Sequence, residues 1–109
     1  MDARQHLKDL QGQTIYTLAQ RRPNRILAIE GDSVIIATEK SPGGEPVPIE
    51  WVQDALDRLF RDGEVLVSVK SVGYRSAFIG AVLGTLREVE VLTRPRRVRL
   101  DTRKADGAR

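Results

Sequence analysis

One short segment has the spacing of a metal-dependent nuclease site. In "VLVSVK", residues 65–70, Lys70 follows Ser68 by two positions on a stretch with the composition of a strand. Many such nucleases carry a metal-binding acidic residue at the place of Ser68, with a second acid upstream. A serine hydroxyl is a poor ligand for Mg²⁺ compared with a carboxylate. We therefore expect no nuclease activity from this segment.

Other residues with catalytic or metal-binding chemistry are scarce. The chain has no cysteine, and His6 is its single histidine, on the polar side of a short N-terminal helix. No serine or carboxylate pattern accompanies His6, so a surface role is expected for it. The glycine-rich "SPGGEP" lacks the lysine and helix start of a phosphate-binding loop. These absences predict a protein that is not an enzyme and that uses no metal, no cofactor and no small-molecule substrate.

Positive charge is concentrated at the C-terminal end. The chain carries a net charge of +3, but residues 94–109 hold seven Lys and Arg against two Asp, which is +5 and leaves −2 for residues 1–93. A basic tail on a nearly neutral body indicates an anionic partner, of which nucleic acid is the commonest. The alternative is a solvated, flexible end that keeps the protein soluble.

Three groups of residues are candidates for contact with a DNA backbone. Two of them lie within the predicted domain, at a basic turn and at the beginning of an apolar helix, and the third lies in the tail. They are Arg21, Arg22 and Arg25; Tyr74, Arg75 and Ser76; and Arg94, Arg96, Arg97 and Arg99. The unpaired N–H groups at a helix N-terminus favour an anion. The helix after Ser76 offers few polar side chains to base edges, so weak sequence specificity is expected.

The hydrophobic pattern predicts an α+β fold in the order α-β-β-β-α-β-α-β. An N-terminal amphipathic helix precedes a three-stranded antiparallel β-meander, with a two-residue hairpin turn at Gly31 and Asp32. The proline- and glycine-rich residues 39–48 are expected to form a surface loop. Residues 48–61 have the strongest helical pattern in the chain. A winged helix-turn-helix-like α-β-α-β arrangement follows.

The end of the predicted domain leaves one local alternative open. Residues 65–72 alternate like a strand, although a short helix over residues 68–72 also fits the sequence. A final strand is expected over "EVEVLT", residues 88–93, with the side chains of Val89 and Val91 directed inward. The length fits one domain, which we place at residues 1–93, with residues 94–109 as a flexible basic tail.

Two glycines interrupt the apolar helix that begins near Arg75. Gly80 and Gly84 lie four residues apart, and each costs about 1 kcal/mol relative to alanine inside a helix. A stripe of small residues lets another backbone approach closely. The helix over residues 49–60 of the same chain is the expected neighbour, and a homodimer contact is the alternative. Trp51, which lies off the apolar stripe of that helix, either covers the β-meander or contacts a partner protein.

The progression "GQTIYTL…RRPNRIL…PVPIEWVQDALDRL…GEV…RSAFIGAVLGTL" resembles a small winged-helix-like module that accompanies bacterial restriction and mobile-DNA proteins. The resemblance covers about residues 11–92 and implies a non-catalytic, DNA-associated or adaptor role. No apolar run is long enough to span a membrane, and "MDARQHLKDL" has no apolar signal region. A cytoplasmic protein without membrane contact is therefore expected, which binds nucleic acid or acts as a protein-interaction or homodimerisation module.

Overall fold

Two antiparallel sheets and three helices make up the part of the chain that the computed structural model describes, namely residues 1–68, 75–93 and 95–101. The predicted α+β fold is confirmed. In chain order, the elements are α1 (Ala3–Leu10), β1 (Thr14–Tyr16), β2 (Pro23–Glu30), β3 (Ser33–Ala37), β4 (Glu45–Pro48), α2 (Ile49–Asp62), β5 (Glu64–Leu66), α3 (Ser76–Gly84), β6 (Val89–Leu92) and β7 (Arg97–Leu100).

The first sheet has the strand order β1-β2-β3-β4. The hairpin predicted at Gly31 and Asp32 is confirmed, because Glu30 pairs with Ser33 and leaves those two residues as the turn. Gly31 has a φ of 57°, a left-handed value that glycine adopts without the steric cost of a side chain. The side chains that alternate inward from β2 and β3, such as Ile26 and Ile36, are fully buried in the core.

A fourth strand corrects the predicted three-stranded meander. Glu45–Pro48, which the proline and glycine content assigned to a loop, pairs antiparallel with β3 and buries Val47 opposite Val34. Two of its four residues are proline, which has no N–H to donate. An edge strand can tolerate this because one side of its backbone has no neighbouring strand. Composition therefore gave the wrong prediction for these four residues.

The second sheet has the strand order β5-β7-β6, so that β7 lies in its middle. Val98 of β7 pairs with Val65 on one side and Val91 on the other, and it is fully buried. The predicted start of a flexible tail at residue 94 is therefore wrong for residues 97–100. Val89 faces inward as expected, but Val91 is 43% exposed, contrary to the prediction. Glu64–Leu66 is a strand, but residues 69–72 of the proposed short helix over residues 68–72 lie outside the described residues.

Helix α2 packs against both sheets and confirms the predicted helix. Its apolar face buries Val52, Leu56 and Leu59, and Gly63 ends it with a left-handed φ of 83° while its N–H donates to the Leu59 carbonyl. Helix α1 packs beside it, because the Gln53 side chain accepts a hydrogen bond from the Ala3 N–H at 2.8 Å. Trp51 is partly buried and packs against the core of its own chain.

The stripe of small residues on α3 faces its own chain, but not the helix that the sequence suggested. A Cβ atom added at Gly80 would lie 2.5 Å from Val67 Cγ1 and 3.5 Å from Leu18 Cδ1. At Gly84 it would lie 3.0 Å from Leu18 Cδ2. At these two glycines, the close approach is therefore made by side chains that follow β1 and β5. Gly80 is buried by these contacts and has no surface left for a second copy.

Candidate functional site

A groove separates the turn after β1 from the beginning of α3. Two cavities adjoin there and share Thr17, Arg22, Ser76 and Ala77 as lining residues. The first cavity has a volume of about 310 Å³, and we name it the Asn24 cavity because Asn24 lines it and not the other. The second has a volume of about 300 Å³, and we name it the Arg96 cavity for the same reason. Together they form the Arg22 groove.

The turn between β1 and β2 places Arg22 in this groove. Thr17 N–H donates to the Arg22 carbonyl at 3.0 Å, and the Arg22 N–H donates to Thr17 Oγ1 at 2.9 Å. The Arg21 N–H also donates to the Thr17 carbonyl, and Arg21 takes a left-handed φ of 54°. This turn separates the two neighbouring arginines. Arg21 lies over the Tyr16 ring, 5.4 Å from its centroid, and lines a different cavity from Arg22.

The beginning of α3 forms the opposite wall. Arg75 is the N-cap residue, with a left-handed φ of 72°, and its side chain makes no capping hydrogen bond. Ser76 is the first helical residue. Both Arg75 and Ser76 line the Asn24 cavity. Because the first backbone N–H groups of a helix lack partners within the helix, this wall presents partial positive charge to the groove. Tyr74 lies outside the described residues.

The C-terminal arginines divide between the groove and the second sheet. Arg96 lines the Arg96 cavity. Arg97 of β7 forms an ion pair with Glu64 of β5, with an Nε–Oε1 distance of 3.0 Å, and Arg99 forms one with Glu90 of the neighbouring β6. Exposed ion pairs of this kind stabilise a fold by less than about 1 kcal/mol, but they neutralise the charge that a phosphate would meet. Arg94 lies outside the described residues.

The structure thus brings together four of the residues predicted to contact nucleic acid and places Arg21, Arg25, Arg97 and Arg99 elsewhere. Arg22, Arg75, Ser76 and Arg96 line the groove. Arg25 is exposed on β2, between Thr14 and Ala37 of the neighbouring strands, and lines neither cavity. The basic turn is also shorter than the sequence suggested, because Pro23–Arg25 already belong to β2.

Some groove residues were missed by sequence reasoning. Lys40 lines the Asn24 cavity and adds a positive charge, while Glu39 beside it adds a negative one. Thr17 and Asn24 are polar residues that are only 6% and 5% exposed. One sequence signal could have drawn attention to Asn24. It occupies an inward position of β2, two residues before the fully buried Ile26, where alternation would favour an apolar side chain.

The charges of the groove favour an anion. Arg22, Lys40, Arg75 and Arg96 contribute four positive charges, opposed by Glu39 in the lining and by Glu45, which pairs with Arg75. Arg22 Nε donates to the neutral Gln20 side chain at 2.5 Å, so its charge is not cancelled there. Within the described residues, Arg96 forms no ion pair. Nor do those residues contain any group of three His, Asp or Glu that could hold a metal ion.

His6 lies away from this groove. Its Nε2 is 2.9 Å from Thr85 Oγ1, and that hydroxyl donates its one proton to the Val82 carbonyl at 2.6 Å. Nε2 must therefore carry a hydrogen and donate to Thr85. Burial lowers the pKa of His6, while Asp9 and Glu88 partly oppose that change. The side chain is half-buried and structural, whereas a surface position was expected.

No family model, curated protein or solved structure matches this chain. The resemblance to a winged-helix-like module therefore stays a prediction. In the described ranges, no helix combines the length and the apolar character needed to cross a membrane.

Proposed function

We propose that this protein is a non-catalytic nucleic-acid-binding domain that holds a sugar–phosphate backbone in the Arg22 groove. The observation that carries the proposal is the convergence of Arg22 and Arg96, 74 residues apart in the chain, on the beginning of α3. Two guanidinium groups and a helix N-terminus are the kinds of donors that bind phosphate oxygens. The two cavities that Arg22 lines, with volumes of about 310 and 300 Å³, leave room for a phosphate group.

The connectivity of the second sheet supports a winged-helix arrangement for residues 49–101. Helix α2, strand β5, helix α3 and strands β6 and β7 follow one another, and the sheet order β5-β7-β6 places the last strand in the middle. In a winged helix, the connection between the last two strands is the wing, which here leads to Arg96. We therefore assign the phosphate contact of Arg96 to a wing.

The buried state of α3 argues against base readout by a recognition helix. The six residues from Phe78 to Leu83 are all buried, and Leu18 from the turn after β1 packs against the small residues of this helix. A helix covered in this way cannot enter a major groove. Binding should therefore depend on charge and on backbone geometry, with weak sequence specificity.

The homodimerisation alternative has less support. Its proposed contact residues Gly80 and Gly84 both face Leu18 of the same chain, and Trp51 is partly buried against its own core. The groove, in contrast, is open to an anionic partner.

The proposal is tested by measuring binding of a fluorescent duplex at several salt concentrations. We expect affinity to fall steeply with salt, with a log–log slope of about 0.9 for each phosphate neutralised. Arg22→Ala and Arg96→Ala should each lower both the affinity and this slope. Arg61→Ala is the matched control, because Arg61 lies exposed at the end of α2 beside Asp62. Failure of the unmodified protein to bind any duplex or single strand at low salt would reject the proposal.

A further inference from the structure

The Asn24 cavity differs in chemistry from the rest of the groove. Its wall is mainly apolar and includes Pro23, Ile36, Ala77 and Phe78, whereas the cationic side chains lie at Arg22, Lys40 and Arg75. Phosphate binding depends on charged and hydrogen-bonding groups, so an apolar wall contributes nothing to it. A volume of about 310 Å³ is at the small end of the range of small-ligand pockets, roughly 300–1,000 Å³.

One buried carboxamide opens into this cavity. Asn24 is only 5% exposed, and its Nδ2 donates a long hydrogen bond of 3.4 Å to the Arg22 carbonyl. Within the described part of the chain, its Oδ1 accepts no hydrogen bond, and no side-chain oxygen or nitrogen there is both fully buried and unpaired, so this oxygen reaches the solvent of the cavity. The second N–H of the carboxamide is likewise uncommitted. Asn24 thus presents an acceptor and a donor side by side, next to an apolar wall.

We infer that the Asn24 cavity receives one unstacked nucleobase of the nucleic acid whose backbone lies in the Arg22 groove. Asn24 would hydrogen-bond the polar edge of the base, since a carboxamide matches the paired donor and acceptor that base edges present. Pro23 and Ala77, the exposed apolar residues of this wall, would replace the apolar contacts that the base loses on leaving its stack. Arg22 lines both cavities, and it can therefore hold the phosphate of the same nucleotide.

This inference rests on the proposed function and commits to single-stranded or locally opened nucleic acid. A base inside a duplex must first unstack and unpair, which costs a few kcal/mol, whereas the base of a single strand is already accessible. Base contacts made in addition to phosphate contacts are expected to improve affinity about tenfold per base, by analogy with stacking on aromatic side chains.

The test compares two single-stranded DNA oligonucleotides of equal length, one with normal bases and one with abasic sugars at its central positions. We expect the unmodified protein to bind the first about tenfold more tightly. Two variants of residues that line the Asn24 cavity and not the Arg96 cavity should abolish that difference while keeping the affinity for the abasic strand. Thr38→Leu narrows the Asn24 cavity, and Asn24→Leu removes the carboxamide. Gln5→Leu, a loss of an exposed amide on α1, is the matched control.

A spectroscopic readout separates a base contact from a general loss of affinity. An oligonucleotide with one 2-aminopurine should change its fluorescence on binding to the unmodified protein and not on binding to Thr38→Leu. Equal binding of the normal and abasic strands by the unmodified protein would overturn the inference and leave the phosphate site standing. If the two variants weakened the binding of the normal and the abasic strands equally, the inference would likewise be overturned and the phosphate site would stand. Tight binding of a free nucleoside monophosphate without oligonucleotide binding would overturn it too, and absence of binding to every strand would reject the proposed function itself.

Discussion

Arg75 and Glu45 form an ion pair, with an Nη2–Oε2 distance of 2.5 Å, that joins the beginning of α3 to the edge strand β4. Both side chains are mostly buried, at 28% and 21% exposed. Arg75 was predicted from sequence to contact phosphate, but the structure shows that a carboxylate of its own chain already accepts one of its hydrogen bonds. Glu45 therefore competes with any phosphate that enters the groove.

Glu45→Gln should increase the affinity for nucleic acid. The substitution keeps an acceptor near Arg75 but removes one negative charge beside the groove, so the phosphate meets less repulsion. Because both side chains are mostly buried, the loss of the ion pair should also lower stability, by about 1–3 kcal/mol. Fluorescence anisotropy at low and high salt measures the effect, which should shrink as salt rises. Glu50→Gln, an equal change of charge on α2 outside the groove lining, should raise affinity less; equal gains would show that net charge alone is responsible.

Truncation before β7 should unfold the protein, whereas truncation after β7 should leave the fold intact. Removal of residues 94–109 takes away the central strand of the second sheet and the fully buried Val98, whose burial alone contributes about 1.5–3 kcal/mol. We expect this shorter chain to lose cooperative thermal unfolding, as measured by circular dichroism. Removal of residues 102–109 leaves β7 in place and should preserve the melting transition. A chain ending at residue 93 that melts like the full chain would contradict the central position of β7.

Gly80→Ala should destabilise the protein more than Gly84→Ala. A Cβ at position 80 would lie 2.5 Å from the branched Val67 side chain, so a backbone or rotamer must shift, at a cost of about 1–3 kcal/mol. At position 84, the neighbour is the end of the Leu18 side chain at 3.0 Å, which can rotate away. Denaturant unfolding measures both changes. Val67→Ala combined with Gly80→Ala should recover part of the loss, and strictly additive effects would show that these two residues do not collide.

His6 should make stability depend on pH near neutrality. Burial lowers its folded-state pKa below the ordinary value of 6.5, so near and below pH 6.5 the unfolded chain binds more protons than the folded one. Stability should therefore fall as the pH drops through 6.5 toward the folded-state pKa. His6→Gln keeps a donor for Thr85 but cannot be protonated. Because His6 is the single histidine, the difference in unfolding free energy between the two proteins should change across this window; parallel curves would contradict the assignment.

The sequence alone specified those secondary-structure elements that a short segment of neighbouring residues is sufficient to determine. The Gly31–Asp32 hairpin follows from a turn pair between two runs of apolar residues, and α2 follows from helical spacing that ends at a glycine. The wider α+β class follows from the order of such segments. In each case, neighbouring residues supply the turn geometry or the amphipathic face, so no distant partner is needed to recognise them.

Only the tertiary structure decided the positions of β4 and β7 and the composition of the groove. Both strands are four residues long, and prolines in one and arginines in the other hide their alternation. They become strands because β3, β5 and β6 offer hydrogen-bonding edges and an apolar surface. Likewise, nothing in the sequence around Arg22 or Arg96 distinguishes them from Arg25 or Arg99. Chain folding brings Arg22 and Arg96 to the start of α3 and pairs Arg99 with Glu90. Contacts between residues far apart in the sequence determine which charged side chains lie together, and local sequence patterns do not encode such contacts.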